Sequence, residues 1–105
     1  MEKIVYLLED DKNIGELVRC ALEMSNVTVE CFETVAAFCG AVEEQPPAVA
    51  IMDIMLPDGN GLDVLPKLKQ KYPSMGVIML SALGQETDKV RGLNLGADDY
   101  IAKPF

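Results

Sequence analysis

The sequence has 105 residues, half of them hydrophobic and a quarter charged, which is the composition of one ordinary globular domain. Its net charge of −8, with only 9 scattered Lys and Arg residues, argues against direct nucleic-acid binding, which needs a basic face. No apolar run approaches the ~20 residues of a membrane span and no secretion signal begins the chain, so a cytoplasmic protein with no membrane contact is expected.

Short apolar runs alternate with longer amphipathic stretches along the whole chain. The former are typical of strands buried in a parallel sheet, and the latter are typical of helices that cover it. Asp11 and Thr34 are the expected N-caps of the first two helices. In chain order, the predicted elements are a strand at Ile4–Leu8, a helix from Lys12 to about Met24, a strand at Val27–Phe32, a helix over Val35–Glu44, a strand at Ala48–Met52, a helix between Leu62 and Tyr72, a strand at Gly76–Leu80, a helix over Glu86–Leu95 and a strand at Tyr100–Ala102.

Pro66 determines where the third helix is expected to begin. A proline inside a helix lacks a backbone donor and clashes with the preceding turn. Either this helix starts near Val64, which would leave Pro66 in its first turn, or it starts earlier and kinks, and we favour the late start. A turn-rich loop over residues 57–61 precedes it, and Gly96 is the expected C-terminal cap of the fourth helix.

Four of the predicted strands end at polar residues. The alternation of strands and helices predicts a doubly wound α/β fold, in which ligands bind at the carboxyl ends of the parallel strands. The polar residues at these ends are Glu9 and Asp10 after the first strand, Asp53 after the third, Ser81 after the fourth and Lys103 after the fifth. Each of these residues alone fits an ordinary role as a helix cap, turn residue or surface residue. Because all of them lie at the same edge of the predicted sheet, they favour a shared site.

If the first and third strands are neighbours in the sheet, the carboxylates of Glu9, Asp10 and Asp53 converge, and a bound cation would relieve their mutual repulsion. The chain has no histidine and no closely spaced pair among its three cysteines, so a hard cation such as Mg²⁺ is expected rather than zinc. The expected direct ligands are Asp10, Asp53 and the backbone carbonyl of Met55, while Glu9 would hold a metal-bound water. Beside Mg²⁺, Asp53 could attack phosphorus and form an acyl phosphate.

Four sequence motifs span nearly the whole chain in the order LLEDDKN, AIMDIMLPDGNGLDVL, VIMLSA and GADDYIAKPF. Together they resemble the motifs of bacterial response-regulator receiver domains. The resemblance implies one receiver domain over residues 1–105, with a flavodoxin-like five-stranded parallel sheet in the order 2-1-3-4-5. The GADDY segment before KPF resembles regulators that are coupled to a winged-helix DNA-binding domain.

The resemblance also implies a role for each residue of the site. These are Asp53 as phosphoacceptor, Glu9 and Asp10 as the acidic pair for the metal, Ser81 as the switch hydroxyl, Lys103 as the phosphoryl-binding lysine and Tyr100 as the aromatic switch residue. It further implies a cis peptide between Lys103 and Pro104. Met55 and Leu83 occupy the positions that tune acyl-phosphate hydrolysis in the family. Because both are apolar and cannot orient a water, a long-lived phosphoryl group is expected.

The expected function is that of a signalling module and not of an enzyme acting on an external substrate. A sensor histidine kinase would phosphorylate Asp53, and the remodelled face of the fourth helix and fifth strand would control an effector, expected to regulate transcription, that is absent from this chain. The family's fold continues into a fifth helix, which this sequence lacks. We therefore expect a truncated domain whose bare sheet face is buried in a homodimer or a domain-swapped oligomer.

Two alternatives stay open at this point. A phosphohydrolase of the haloacid-dehalogenase type would need a second acid two residues after its nucleophile, where Met55 stands. A truncated receiver could instead act only as a protein-interaction or dimerisation unit. The full set of acids together with Lys103 argues against this last reading, and the missing helix argues for it.

Overall fold

The computed structural model of the protein describes residues 3–82 and 96–103, in seven strands and three helices. The predicted helix over Glu86–Leu95, Leu83 and the Lys103–Pro104 peptide lie outside this part of the chain. None of the described helices is long and apolar enough to cross a membrane. In chain order, the described elements are β1 (Lys3–Leu8), α1 (Lys12–Glu23), β2 (Val27–Phe32), α2 (Val35–Glu44), β3 (Val49–Asp53), β4 (Met55–Leu56), β5 (Gly59–Asn60), α3 (Gly61–Lys71), β6 (Gly76–Ala82) and β7 (Asp99–Lys103).

Five of the strands form one parallel sheet in the order β2-β1-β3-β6-β7. The short strands β4 and β5 pair only with each other as an antiparallel hairpin. Without this hairpin, the five strands have the order 2-1-3-4-5, so the predicted flavodoxin-like sheet is confirmed. The reversal of strand order lies between β1 and β3, which places their carboxyl ends side by side.

Both faces of the sheet carry apolar side chains, because successive strand residues point to opposite faces. On one face, Leu8 and Met52 join a large buried cluster with side chains of α2 and α3, among them Phe38 and Leu65. On the other face, Leu7 belongs to a smaller cluster that packs against α1. Beside α1, an open apolar groove of about 420 Å³ is lined by Leu17, Val18, Ala21, Leu22, Ile51, Ile78, Leu80 and Ile101.

The N-terminal caps of α1 and α2 are confirmed. Asp11 accepts hydrogen bonds from the backbone N–H groups of Asn13 (2.9 Å) and Ile14 (3.3 Å). Thr34 accepts one from the N–H of Ala37 (3.2 Å). Each cap fixes the direction in which a helix leaves its strand, and therefore how it lies on the sheet.

The predicted late start of α3 is wrong, since this helix begins at Gly61 and contains Pro66 in its interior. The Asn60 side chain caps it by accepting from the N–H of Leu62 (2.8 Å). An early start also brings Leu62, which is 2% exposed, into the core. These gains outweigh the one intrahelical hydrogen bond that a proline removes.

Candidate functional site

Three carboxylates meet at the carboxyl ends of β1 and β3. One oxygen each of Glu9, Asp10 and Asp53 lies within 4.8 Å of the others. Glu9 is 3% exposed and Asp53 is 7% exposed, whereas Asp10 faces solvent. The structure therefore brings together the three acids that the sequence placed at the ends of two predicted strands. A buried set of oxygen atoms that is open on one side fits a hard cation such as Mg²⁺.

Backbone hydrogen bonds hold these acids in place. The N–H of Glu9 donates to the carbonyl of Phe32 (2.9 Å), which extends the pairing of β1 and β2 beyond their last strand residues. The N–H of Ile54 donates to Oδ1 of Asp53 (2.7 Å) and so orients that carboxylate. The acids belong to a rigid sheet edge rather than to a loose loop, which suits a site whose ligands must be preorganised.

The connection from β3 to α3 passes very close to Asp53. The N–H of Gly61 donates to the carbonyl of Ile54 (2.7 Å), which closes the connection at its base. A Cβ atom at Gly61 would collide with the backbone carbonyl oxygen of Asp53. Glycine is thus required here by the close approach of two backbone segments. Sequence reasoning recognised a turn at this place but did not identify the constraint on Gly61.

The same connection contains the hairpin of β4 and β5, which pairs Met55 with Asn60 and Leu56 with Gly59. The Met55 side chain is 80% exposed, so it adds an apolar surface at the rim of the site and no polar group. At the tip of the hairpin, Asp58 accepts hydrogen bonds from the N–H groups of Val35 and Ala36. These two donors lower the pKa of the Asp58 carboxyl below its usual value of 3.8, against an opposing effect of burial.

The sequence analysis missed this role of Asp58. The Pro-Asp-Gly turn was a clear local signal, but the partners of the carboxylate lie 22 and 23 residues earlier in the chain. A run of turn residues gives no indication of which distant helix it will contact.

The other predicted site residues lie on β6 and β7 in the expected order. Leu80 pairs with Asp53, and the following residue, Ser81, pairs with Ala102. Lys103 pairs with Ala82, so its backbone lies at the same edge of the sheet. Tyr100 is half-buried and packs against the larger core cluster. Leu83, predicted to tune hydrolysis, lies outside the described residues.

Residues 5–105 match the family model of the response regulator receiver domain. The chain is 37% identical over 101 residues to the transcriptional regulatory protein CreB of Escherichia coli (strain K12), covering 96% of this chain and 44% of that protein. It is 38% identical over 104 residues to the regulatory protein VanRc of Enterococcus gallinarum, covering 99% of this chain and 44% of that protein. The chain thus spans less than half the length of these curated relatives.

Solved structures show the same fold. The BeF3-activated receiver domain of DrrB superposes with a TM-score of 0.91 at 33% identity, covering all of this chain and 87% of that one. The non-phosphorylated receiver domain of HemR from Leptospira biflexa gives a TM-score of 0.88 at 30% identity, covering 98% and 83%. The motifs and the fold agree with these relatives and solved structures. This chain therefore belongs to the family of response regulator receiver domains, which are phosphoacceptor signalling modules of two-component systems.

Proposed function

We propose that Asp53 accepts a phosphoryl group from a histidine of a sensor kinase in a reaction that depends on Mg²⁺. The observation that supports this most directly is the approach of Glu9, Asp10 and Asp53 to within 4.8 Å of one another. Like charges at this separation favour a bound cation, and a donor set made only of oxygen atoms favours Mg²⁺. The backbone carbonyl of Met55 is the further protein ligand in this proposal.

In the proposed reaction, a carboxylate oxygen of Asp53 attacks the phosphorus atom. The bond from phosphorus to the histidine nitrogen of the kinase breaks as the new P–O bond forms, which leaves an acyl phosphate on Asp53. Mg²⁺, when bound, supplies positive charge near the transferring oxygens. The hydroxyl of Ser81 and the ammonium group of Lys103 are the proposed partners of the same oxygens, a role supported by their positions at neighbouring strand ends.

The signal is proposed to pass from the phosphoryl group to Ser81 and then to Tyr100, which packs at the margin of the core. An added dianionic group would bias this packing toward a second arrangement. The similar protein CreB is a transcriptional regulatory protein, which supports transcription as the output. Turnover would be limited to Asp53 itself, and the apolar, exposed Met55 favours a long-lived phosphoryl group. A cytoplasmic location completes this proposal.

Self-association through the groove beside α1 is the second part of the proposal. Its lining is apolar, and Leu17 and Ile101 are 54% and 40% exposed. A solution structure of the beryllofluoride-activated NtrC4 receiver domain is a dimer, with a TM-score of 0.91 to this chain at 24% identity, covering 97% of this chain and 84% of that one. A homodimer or domain-swapped oligomer would remove the groove's apolar surface from water.

Beryllofluoride tests the phosphoacceptor assignment directly. In the presence of Mg²⁺, the wild-type chain is expected to give protein-bound fluoride resonances, and acetyl phosphate is expected to add the mass of one phosphoryl group. Asp53→Asn should abolish both signals. Asp63→Asn, which neutralises an exposed acid in the first turn of α3, should retain them.

The outcomes separate the competing functions. A wild-type chain that gives neither signal would favour a protein-interaction unit and would contradict the proposal. Rapid hydrolysis of many phosphomonoesters would instead favour a phosphohydrolase.

A further inference from the structure

The hairpin that carries Met55 has little structure of its own to hold it. Each of its strands is two residues long, and an isolated hairpin of any length is marginally stable in water. The exposed Met55 side chain adds little packing, whereas Leu56 is half-buried against the larger core cluster. At its base, the hairpin is fixed by the hydrogen bond from the N–H of Gly61 to the carbonyl of Ile54. The exposed tip, over Pro57 and Asp58, lies beyond these contacts.

Asp58 supplies a contact at the tip. One of its carboxylate oxygens accepts from the N–H of Val35 at 2.8 Å, and the other accepts from the N–H of Ala36 at 3.1 Å. Both donors belong to the first turn of α2, where backbone N–H groups have no partner within the helix. A carboxylate is also favoured there by the helix dipole.

The hairpin and α2 also touch through apolar atoms. A Cβ atom built on Gly59 would lie 3.3 Å from Cγ2 of Val35, so the turn already lies against the helix. The first turn of α2 has its own cap in Thr34, which accepts from the N–H of Ala37. Thr34 leaves the N–H groups of Val35 and Ala36 to Asp58, which reaches them from the hairpin and not from the residue before the helix.

We infer that Asp58 is a positioning residue, which fixes the Met55 carbonyl for the metal ion by holding the hairpin tip on the first turn of α2. The inference rests on the proposed function, since it concerns how the proposed ligand is preorganised. It also makes α2 a structural extension of the site, because a shift of this helix would move the hairpin and with it the carbonyl.

A comparison of Asp58→Ala with Thr34→Ala tests this inference. Asp58→Ala removes two accepted hydrogen bonds from the first turn of α2 and Thr34→Ala removes one, but only Asp58 connects that turn to the hairpin. By calorimetric titration with Mg²⁺ alone, Asp58→Ala is expected to bind about tenfold more weakly than wild type, the range in which supporting residues of metal sites act. Thr34→Ala is expected to stay within about twofold of wild type, because a residue without contact to the metal ligands adds no such loss.

Amide hydrogen exchange in the metal-free protein gives a second readout. Asp58→Ala should speed exchange at Gly61, whose N–H closes the base of the hairpin, while Thr34→Ala should leave it unchanged. Asp58→Asn keeps one acceptor and should show smaller changes in the same direction, and it replaces Asp58→Ala if that variant fails to fold.

Equal Mg²⁺ affinity in Asp58→Ala and wild type would overturn the inference, as would an equal loss in Thr34→Ala. If wild type itself bound no Mg²⁺, the proposed function would fail, and with it the assignment of the Met55 carbonyl as a ligand. The exchange rates would still decide whether Asp58 holds the hairpin.

Discussion

Two exposed aspartates connect distant segments at opposite ends of the sheet. Asp58 lies at the carboxyl end, beside the acids, and accepts from the backbone N–H groups of Val35 and Ala36 in α2. Asp98 lies at the amino end, where it accepts from the N–H of Val77 (2.7 Å) and from Nζ of Lys69 (3.2 Å). Its own N–H donates back to the carbonyl of Val77 (2.8 Å).

The difference distinguishes a structural contact from a candidate binding site. Asp98 both accepts and donates hydrogen bonds, and one of its partners is the ammonium group of Lys69, which also donates to the carbonyl of Met75 (2.8 Å). Nearby, Gly96 has a φ of +114°, a conformation that glycine adopts without strain. The charge of Asp98 is thus balanced by the ammonium group of Lys69. At the other end, three acids converge within 4.8 Å, which is costly for folding and useful for binding a cation.

The largest expected contrast concerns metal binding. Asp53→Asn should weaken Mg²⁺ binding by at least about a hundredfold, because it removes a charged ligand from the site. Asp98→Asn should leave the dissociation constant within about twofold of wild type, because it lies at the far end of the sheet. Calorimetric titration of both variants measures this. A comparable loss of Mg²⁺ affinity in both variants would mean that the amino end of the sheet also affects metal binding.

The second contrast concerns stability without metal. Asp98→Asn should lower the free energy of unfolding by about 1 kcal/mol, because it weakens hydrogen bonds from a backbone donor and an ammonium group at a half-exposed position. Asp53→Asn should leave this free energy unchanged or raise it, since it relieves repulsion among the three acids. Urea unfolding in chelator measures both, and a destabilised Asp53→Asn would contradict the contrast.

Low pH should destabilise the contacts at both ends of the sheet, because each end has a carboxyl group whose pKa is lowered. The N–H of Val77 lowers the pKa of Asp98 below 3.8, against an opposing effect of burial, and Lys69 lowers it further. A carboxyl group with a lowered folded-state pKa adds stability above its unfolded pKa and loses it as the pH falls through the folded value. Stability should therefore fall below about pH 4.

Urea midpoints between pH 7 and pH 3 check this direction. The decline should be shallower in Asp98→Asn, which lacks one of the responsible groups. A decline of equal steepness in the variant and in wild type would exclude Asp98 as a contributor.

The smallest expected effect belongs to Lys69. Lys69→Met should cost less than about 1 kcal/mol, because the ion pair with a half-exposed Asp98 is weak and is screened by salt. Thermal unfolding at low and high salt measures this, and the difference between variant and wild type should shrink at high salt. A salt-independent loss would assign the effect to the hydrogen bond with the Met75 carbonyl instead.

Much of the site could be predicted because its signals are local and repeated. Each of the acids and Ser81 follows or ends an apolar run, so the pattern alone placed Glu9, Asp10 and Asp53 at the ends of predicted strands. The strand order could not be predicted in this way, because the periodicity of the sequence leaves it open. Only the resemblance to a family implied the order. The caps at Asp11 and Thr34 were predictable for the same reason as the strand ends, as their partners lie within three residues.

The β3–α3 connection was not predictable in this way. Pro66 is a strong local signal against an early helix start, and it was outweighed by the burial of Leu62 and the cap at Asn60. The contact of Asp58 with α2 joins residues more than twenty positions apart. Contacts that depend on how two elements come together in space leave no periodic pattern in the sequence.

Gly61 has a consequence for which mutations the chain can accept. Its missing side chain leaves room for the backbone carbonyl of Asp53, so any replacement must displace the residue that carries the chemistry. Gly15 and Gly40 are not restricted in this way, because a Cβ atom there would meet nothing within 4 Å. Among random variants selected only for folding, codon 61 should stay nearly invariant while codons 15 and 40 diversify. Selection for a stable domain would thereby preserve the geometry of the proposed phosphoacceptor even where signalling itself is not under selection.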